Sequence, residues 1–162
     1  MLITQNWVSR LLNQHNPEWA VSPADFDGGY VRVGFETEGY EAIEETTGPL
    51  VFGRVEEIEE LTEFKKPIRY CQVNVGTANG TGELQEIICG ARNFAEGDLV
   101  VIALPGTVLP GGFAIGERQT YGKMSRGMIC SVAELGLTDK SDGILTLPAE
   151  AGEPGENARG YL

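Results

Sequence analysis

Short apolar runs separated by tight turns fill the chain from residue 50 onward, and they limit the folds that it can adopt. Apolar residues recur with a period of two in four successive runs, VFGRVEEIEEL, IRYCQVNVG, ELQEIICG and DLVVIALPG. Glycine or charged residues stand between these runs. Alternation of this kind is typical of short β-strands with one buried face, so the pattern predicts an all-β domain.

Sharp turns follow the last of these runs. Residues 105–106 and 110–112 combine prolines, whose φ is fixed, with glycines suited to positive φ. A further apolar run at 128–130 and the segment GILTLP at 143–148 predict two more strands, and Ser131 is a predicted cap for a single helical turn. Five or six short strands without a long helix predict a mainly β fold, a five-stranded barrel of the oligonucleotide-binding type.

The segment that precedes the barrel has a different pattern. Asn6 is a predicted N-cap for a short helix over 7–13, and Ser22 stands before a proline at the start of a second helix. Residues 35–43 alternate well enough to predict a strand. Two short helices and a strand cannot enclose a stable core in fewer than about 50 residues, so we expect a small, incomplete α+β subdomain.

The predicted organisation therefore has three parts. Residues 1–46 form the incomplete α+β subdomain, and residues 47–148 form the barrel. Residues 149–162 are rich in Pro, Gly and Glu, which predicts a linker followed by the start of a truncated next segment.

The charge of the chain restricts its partners. With 12 basic and 24 acidic residues the net charge is −12, which disfavours general binding to nucleic acids, and no DNA partner is expected. Between residues 64 and 133, seven basic residues against five acidic ones give a local net charge of +2, so any RNA affinity is expected to be weak and local. The acidic run at 56–63 would repel phosphates, and we expect it on a face away from RNA.

Membrane, metal and catalytic functions find no support in the sequence. The apolar runs are far shorter than the roughly 20 residues that span a bilayer, and the first residues lack a basic leader, so a cytoplasmic protein without a membrane partner is expected. The cysteines, Cys71, Cys89 and Cys130, include no CxxC pair and lie far from the single histidine, His15. We expect buried free thiols, no metal site and no catalytic residue.

Three motifs carry a resemblance to a known family. IICGARNF at 87–94, ALPGTVLPGGFAIG at 103–116 and SRGMICSVAELGL at 125–137 resemble the tRNA-binding domain near the N-terminus of the bacterial phenylalanyl-tRNA synthetase β subunit. The resemblance implies an oligonucleotide-binding barrel over 47–148. It also implies that the chain is the N-terminal fragment of a longer subunit, whose first residues belong to a second small domain completed after the barrel.

The resemblance implies an accessory role in tRNA binding within a ligase that joins phenylalanine to its tRNA with ATP and magnesium. The α subunit would hold aminoacylation, and later β domains would hold editing and subunit contacts in the heterotetramer. No cofactor is implied for the fragment itself, and whether it counts as an enzyme stays open. The alternative is a structural or protein-interaction domain of the same subunit with little RNA affinity. The N-terminal helices disfavour a third possibility, a free-standing tRNA-binding chaperone.

Candidate RNA contacts lie where the sequence departs from the family's pattern. LTEFKKPIRY supplies charge in place of an HPNADKL-like stretch, CGARN replaces C-G-A-P-N, and YGKMSRGMICS has Tyr121 in place of an arginine. Phosphates require cations, and bases require exposed aromatic rings or backbone donors. The candidate RNA-binding residues are Lys65, Lys66, Arg69, Arg92, Asn93, Lys123, Ser125 and Arg126, and the candidate aromatic residues are Phe64, Tyr70, Phe94 and Tyr121.

Each candidate also has a structural interpretation. The cations are equally expected as solvated surface charges, and the aromatic rings more often pack in a core or lid. Asn93 is as well suited to satisfying backbone groups, and Ser125 to a hydrogen bond in a turn.

Overall fold

The computed structural model describes residues 3–42 and 44–162, and the chain divides into two compact units. One unit is Met1–Ala42 together with Gly160–Leu162, and the other is Ile43–Arg159. Each unit has its own set of elements, and the first contains α1 (Gln5–Asn13) and α2 (Pro23–Arg32).

Both helices of the first unit begin at a capping side chain. Thr4, rather than Asn6, caps α1, because its side chain accepts a hydrogen bond from the Trp7 backbone N–H at 3.3 Å. The predicted cap at Asn6 is therefore wrong, and the helix begins at Gln5, two residues earlier than predicted. The prediction for the second helix is confirmed, since Ser22 Oγ accepts from the Asp25 N–H at 3.1 Å and a proline opens α2.

The predicted strand at 35–43 is wrong over its described residues, and Ile43 lies outside them. Residues 35–42 form no strand, and the Phe35 N–H instead donates to the carbonyl of Tyr30 at 3.0 Å, which holds the segment against the end of α2. Gly39 has φ of +97°, a left-handed conformation that interrupts extended backbone.

The second unit is built from short antiparallel strands. Its main sheet has the order β10-β4-β1-β2-β3, with β9 also paired to β4, and two separate hairpins are formed by β5 with β6 and by β7 with β8. The strands are β1 (Leu50–Leu61), β2 (Ile68–Asn74), β3 (Gln85–Cys89), β4 (Leu99–Ala103), β5 (Val108–Leu109), β6 (Phe113–Ala114), β7 (Glu117–Thr120), β8 (Lys123–Arg126), β9 (Met128–Ile129) and β10 (Thr146–Leu147).

Strand β1 curls the sheet because it serves two neighbours. Its first half pairs with β4, from Leu50 opposite Ala103 onward, and its second half pairs with β2 as far as Leu61 opposite Ile68. The register shifts between Val55 and Glu57, which marks a β-bulge. A bulge bends a strand and increases its twist, so it directs the second half of β1 away from β4.

The curled sheet closes almost completely through β8 and β9. At the free edge of β3, the Ile88 N–H donates to Ser125 Oγ at 3.0 Å. Strand β8 continues through Gly127 into β9, which pairs with β4. Gly127 has φ of +128°, and a Cβ there would lie 2.7 Å from the carbonyl oxygen of Ala103. The predicted five-stranded barrel of a mainly β fold is thus confirmed.

The alternating apolar residues of these strands fill the barrel. Val55, Val73, Ile87 and Ile102 are fully buried, as the period of two predicts. The three cysteines are free and buried, which confirms their predicted state. Burial raises the pKa of the Cys71 and Cys130 thiols to about 12 and also raises the pKa of Cys89.

The C-terminal part of the second unit runs along β1. The Phe52 N–H donates to the carbonyl of Glu156 at 2.9 Å, and the Ala158 N–H donates to that of Leu50 at 3.0 Å. Residues 149–159, whose composition predicts a linker, therefore pack on the barrel. The predicted closing strand is present as β10, and Ser131 Oγ accepts from the Glu134 N–H at 3.2 Å in the predicted capped turn.

Candidate nucleic-acid interface

Lys65 and Lys66 lie in the loop that joins β1 to β2. Both side chains are exposed, and neither forms an ion pair or side-chain hydrogen bond with any residue that the structure describes. Their charges are not offset by a carboxylate in contact with them. Of the candidate cations, these two lysines can therefore bind a phosphate without first breaking an ion pair.

Two other candidates, Arg69 and Arg92, share one carboxylate. Arg69 Nε donates to Glu60 Oε1 at 2.9 Å, and Arg92 donates to both oxygens, from Nη1 to Oε2 at 3.0 Å and from Nη2 to Oε1 at 3.1 Å. These contacts, the hydrogen bond from Arg92 above all, lower the pKa of the Glu60 carboxyl below its ordinary value. Arg69 is also held by the carbonyl of Phe94, to which its Nη1 donates at 2.6 Å.

The two arginines differ in their freedom to leave Glu60. The Arg69 side chain is only 14% exposed, and its guanidinium lies over the Phe94 ring at 5.0 Å. The Arg92 side chain is 49% exposed. Among the described residues, it forms side-chain hydrogen bonds and an ion pair with Glu60 only. Arg69 is thus a structural cation, whereas Arg92 is a surface cation with a competing anion.

The candidate cations of β8 are also paired. Lys123 Nζ lies 3.2 Å from Glu59 and 4.8 Å from the centre of the Tyr70 ring. Arg126 pairs with Glu86 and lies 3.6 Å from Glu117. Exposed pairs of this kind contribute little to stability, but a phosphate must compete with the carboxylate for the same cation.

Two glutamates of the acidic run lie beside candidate cations, although the charge of the run predicts a position away from RNA. Glu59 and Glu60 lie within it, and between them they contact Arg69, Arg92 and Lys123. The pairing of β1 with β2 places Glu60 directly opposite Arg69 in the sheet. Carboxylates of the run therefore reduce the positive charge of this surface instead of lying away from it.

Asn93 and Ser125 form hydrogen bonds within the barrel, as their structural interpretations predict. Asn93 Nδ2 donates to the carbonyl of Ile144 at 2.9 Å, and its Oδ1 accepts from the N–H of the same residue at 3.0 Å. Ser125 is buried, and its hydroxyl joins β8 to β3 and donates to the carbonyl of Gly127. Their hydrogen-bonding groups are already used within the barrel.

The candidate aromatic residues separate into two groups. Tyr70 and Phe94 are buried, and burial together with a hydrogen bond from the tyrosine to Glu86 raises the pKa of Tyr70 to about 12. Phe64 and Tyr121 lie at loop tips, and their ring centres are 4.6 Å apart in an edge-to-face arrangement. This contact places Tyr121 beside the loop that carries Lys65 and Lys66.

Sequence reasoning missed the meeting of these two rings, because it depends on the β7–β8 hairpin reaching the β1–β2 loop. It also left Arg118 out of the candidates, although this β7 residue is exposed and has no ion pair among the residues described. The sequence signal for it is the wholly polar run ERQT at 117–120, and three consecutive residues of this strand, 117–119, are exposed. We call Phe64, Lys65, Lys66 and Tyr121 the loop-tip surface.

A separate cleft of about 940 Å³ borders the β2–β3 hairpin. Its lining includes three carboxylates, Glu83, Glu86 and Glu117, and Arg126 is the cation among its described lining residues. Since Arg126 already pairs with two of these carboxylates, the cleft is unsuited to a phosphate. The described residues contain no group of three or more His, Cys, Asp or Glu that could hold a metal ion. Among them, neither helix is long and apolar enough to cross a membrane.

The curled antiparallel barrel carries cations and aromatic rings at the tips of its loops. These features place it in the oligonucleotide-binding class. A family model described as "Putative tRNA binding domain" matches residues 50–157, and the chain belongs to this family. The matched range covers the strands of the barrel and the segment that runs along β1.

The curated proteins that the chain resembles include phenylalanine–tRNA ligase β subunits. The phenylalanine–tRNA ligase β subunit of Corynebacterium efficiens is 72% identical over 163 residues, covering 100% of this chain and 20% of that protein. The β subunit of Nocardia farcinica is 55% identical, covering 100% of this chain and 19% of its own length. The chain thus spans about 20% of the length of the curated relatives it matches, and the resemblance drawn from its motifs is confirmed.

Among solved structures, the CsaA chaperone protein from Picrophilus torridus aligns with a TM-score of 0.46 and 15% identity, covering 66% of this chain and 87% of that chain.

Proposed function

We propose that this chain is the accessory tRNA-binding domain of a phenylalanine–tRNA ligase β subunit and supports binding of the phenylalanine tRNA during protein biosynthesis. The family of the barrel and the identity to β subunits along the whole chain support this proposal. The proposal includes the setting of the whole ligase: the cytoplasm, ATP and magnesium as its cofactors, and the α subunit and remaining β domains as partners.

The observation that carries the proposal is the uneven pairing of the cations. Arg69, Arg92, Lys123 and Arg126 each contact a carboxylate, whereas Lys65 and Lys66 contact none among the described side chains. A phosphate that approaches these lysines displaces only water and counterions, which is the favourable part of electrostatic binding to nucleic acids. The β1–β2 loop is therefore the first contact, and Arg92 and Lys123 contribute only after they leave their glutamates.

The net charge of −12 keeps this contact local. At physiological ionic strength charges are screened over about 8 Å, so distant carboxylates repel tRNA much less than those beside the lysines. Two phosphate contacts predict a slope of about −1.4 to −1.8 in a plot of log K against log salt concentration. Binding is consequently weak, and a fourfold rise in salt concentration should reduce the binding constant about 7- to 12-fold.

The test is a titration of the purified chain with fluorescently labelled tRNA at several salt concentrations. We expect binding that weakens with salt, and in the double variant Lys65→Gln, Lys66→Gln a slope shallower by about 1.4 to 1.8. Lys140→Gln is the matched control, because Lys140 is exposed and lies in the loop before β10. An equal effect of both changes, or no binding of tRNA at about 50 mM salt, would contradict the proposal.

The second candidate is a structural or protein-interaction domain with little RNA affinity. It is favoured by the ion pairs that four of the six candidate cations form with glutamates. On this account the surface is already neutralised, and its arginines hold the strands together. Absence of salt-dependent tRNA binding in the titration would support this alternative.

A further inference from the structure

Tyr121 has a backbone conformation that tyrosine rarely adopts. Thr120 and Lys123 face each other in the β7–β8 hairpin, so Tyr121 and Gly122 form a two-residue turn between them. Their φ angles are +54° and +71°, the pattern of a type I′ turn. Asn, Asp or Gly normally occupies the first position of this turn, because a bulky side chain is strained there. The turn places an aromatic residue at the tip of the hairpin despite the unfavourable backbone conformation.

The Tyr121 ring is supported from one side and open on another. Phe64 meets it at 4.6 Å with an interplanar angle of 64°, and Tyr121 remains 41% exposed. Phe64 is itself packed against the cluster of Leu61, Ile68 and Tyr70. The ring pair therefore rests on a small buried apolar cluster at the ends of β1 and β2 rather than on a free loop, which lowers the entropy that a ligand must overcome.

The charge next to this ring pair matches one kind of ligand. Lys65 and Lys66 directly follow Phe64 and have no carboxylate partner among the residues described. An exposed aromatic ring beside unpaired cations is suited to a base and its neighbouring phosphates, since every base has a face that stacks. In a duplex stem the faces of the bases are covered by their neighbours, so only an unpaired base offers one.

The geometry points to the loop-tip surface as a stacking platform for one unpaired nucleobase of RNA, with Lys65 and Lys66 neutralising the phosphates on either side. This inference rests on the proposed tRNA binding and adds to it the part of the RNA that is recognised. The domain takes a single-stranded segment of tRNA, such as a loop or an end, and not a stem. Tyr121 supplies the stacking surface, and Phe64 positions it.

The test compares three RNA probes: unmodified tRNA, a short single-stranded RNA, and the same RNA paired with its complement. The key variant is Tyr121→Asn, which removes the ring but suits the left-handed conformation, so the hairpin is retained. Tyr121→Phe keeps the ring and is the matched control. Circular dichroism and the melting temperature of each variant establish that it is folded.

We expect the single strand to bind more tightly than the duplex. Tyr121→Asn should weaken binding of the single strand about 5- to 150-fold, the range for one base stacked on an aromatic ring, and leave the salt slope unchanged. Tyr121→Phe should stay within about twofold of the parent chain, because its ring is retained.

Two results would overturn the inference, and they differ from failure of the proposed function. If tRNA binds with salt dependence but Tyr121→Asn changes nothing, the stacking platform is wrong while the tRNA-binding proposal stands. The same holds if duplex and single strand bind equally well. If no RNA binds the parent chain at about 50 mM salt, the proposed function itself fails.

Discussion

Replacement of Glu60 by glutamine tests whether the acidic run limits RNA binding. The side chain of Glu60 accepts hydrogen bonds from Arg69 on one oxygen and from Arg92 on both oxygens. Glutamine has nearly the same shape but no charge, so it releases whichever arginine has no second anchor. Arg69 stays fixed by the carbonyl and ring of Phe94, whereas Arg92 becomes available. The substitution thus adds one cation to the surface beside the β1–β2 loop.

One additional phosphate contact has a calculable effect. It makes the slope of log K against log salt steeper by about 0.7 to 0.9. Between about 200 and 50 mM salt, the ratio of the Glu60→Gln affinity to the parent affinity should therefore rise about threefold, since a fourfold change in salt raised to this power gives that factor. Fluorescence anisotropy of labelled tRNA at four or more salt concentrations resolves such a difference.

Glu57→Gln is the matched control for charge. Glu57 lies on the same strand, is exposed, and has no ion pair among the described residues, so its replacement changes the net charge equally without releasing an arginine. We expect its slope to equal that of the parent chain. Equal slopes for both variants and the parent, or weaker tRNA binding by Glu60→Gln, would show that Arg92 does not meet a phosphate.

Three further predictions concern the barrel. Ser131→Ala removes the side-chain cap of the turn that follows β9 and should destabilise the chain by about 1 kcal/mol in urea unfolding, whereas Ser131→Thr should retain most of the stability. Gly127→Ala should lower the melting temperature more than Gly90→Ala, because a Cβ at 127 would lie 2.7 Å from a backbone oxygen and none would be met at 90. The thiols of Cys71 and Cys130 should resist alkylation in the folded chain, and labelling at the rate of the unfolded chain would contradict this. Because their folded pKa of about 12 exceeds the ordinary value of 9.0, their contribution to the free energy of unfolding is complete below pH 9.0 and is lost as the pH rises toward 12. Stability that increases between pH 9.0 and 12 would contradict this second expectation.

The strands of the barrel could be predicted because their signal is local. A half-buried strand must alternate, and β1, β2 and β3 each begin or end within two residues of the alternating runs. The segment 35–43 alternates as well, yet residues 35–42 form no strand because Gly39 adopts a left-handed φ and no neighbouring strand pairs with them. Alternation shows that a segment suits a sheet, but pairing requires a partner at the right distance.

The surface chemistry could not be predicted, because it depends on register. The sequence shows that Glu60 and Arg69 are both present, but only the β1–β2 pairing places them opposite each other. Likewise, Phe64 and Tyr121 meet because two loop tips converge, and no local pattern records that contact. Which candidate cations contact carboxylates of the acidic run, and that Lys65 and Lys66 contact none among the described residues, therefore depends on the fold and not on the local sequence.

The most direct test of the account is to observe which residues tRNA touches. Amide chemical shifts of the ¹⁵N-labelled chain, recorded during titration with tRNA at low salt, report contact residue by residue. We expect the largest changes at 62–67 and 119–124, the two loop tips that carry the unpaired lysines and the exposed ring. Changes concentrated instead at the acidic cleft by the β2–β3 hairpin, or absent from both loop tips while tRNA binds, would contradict the account.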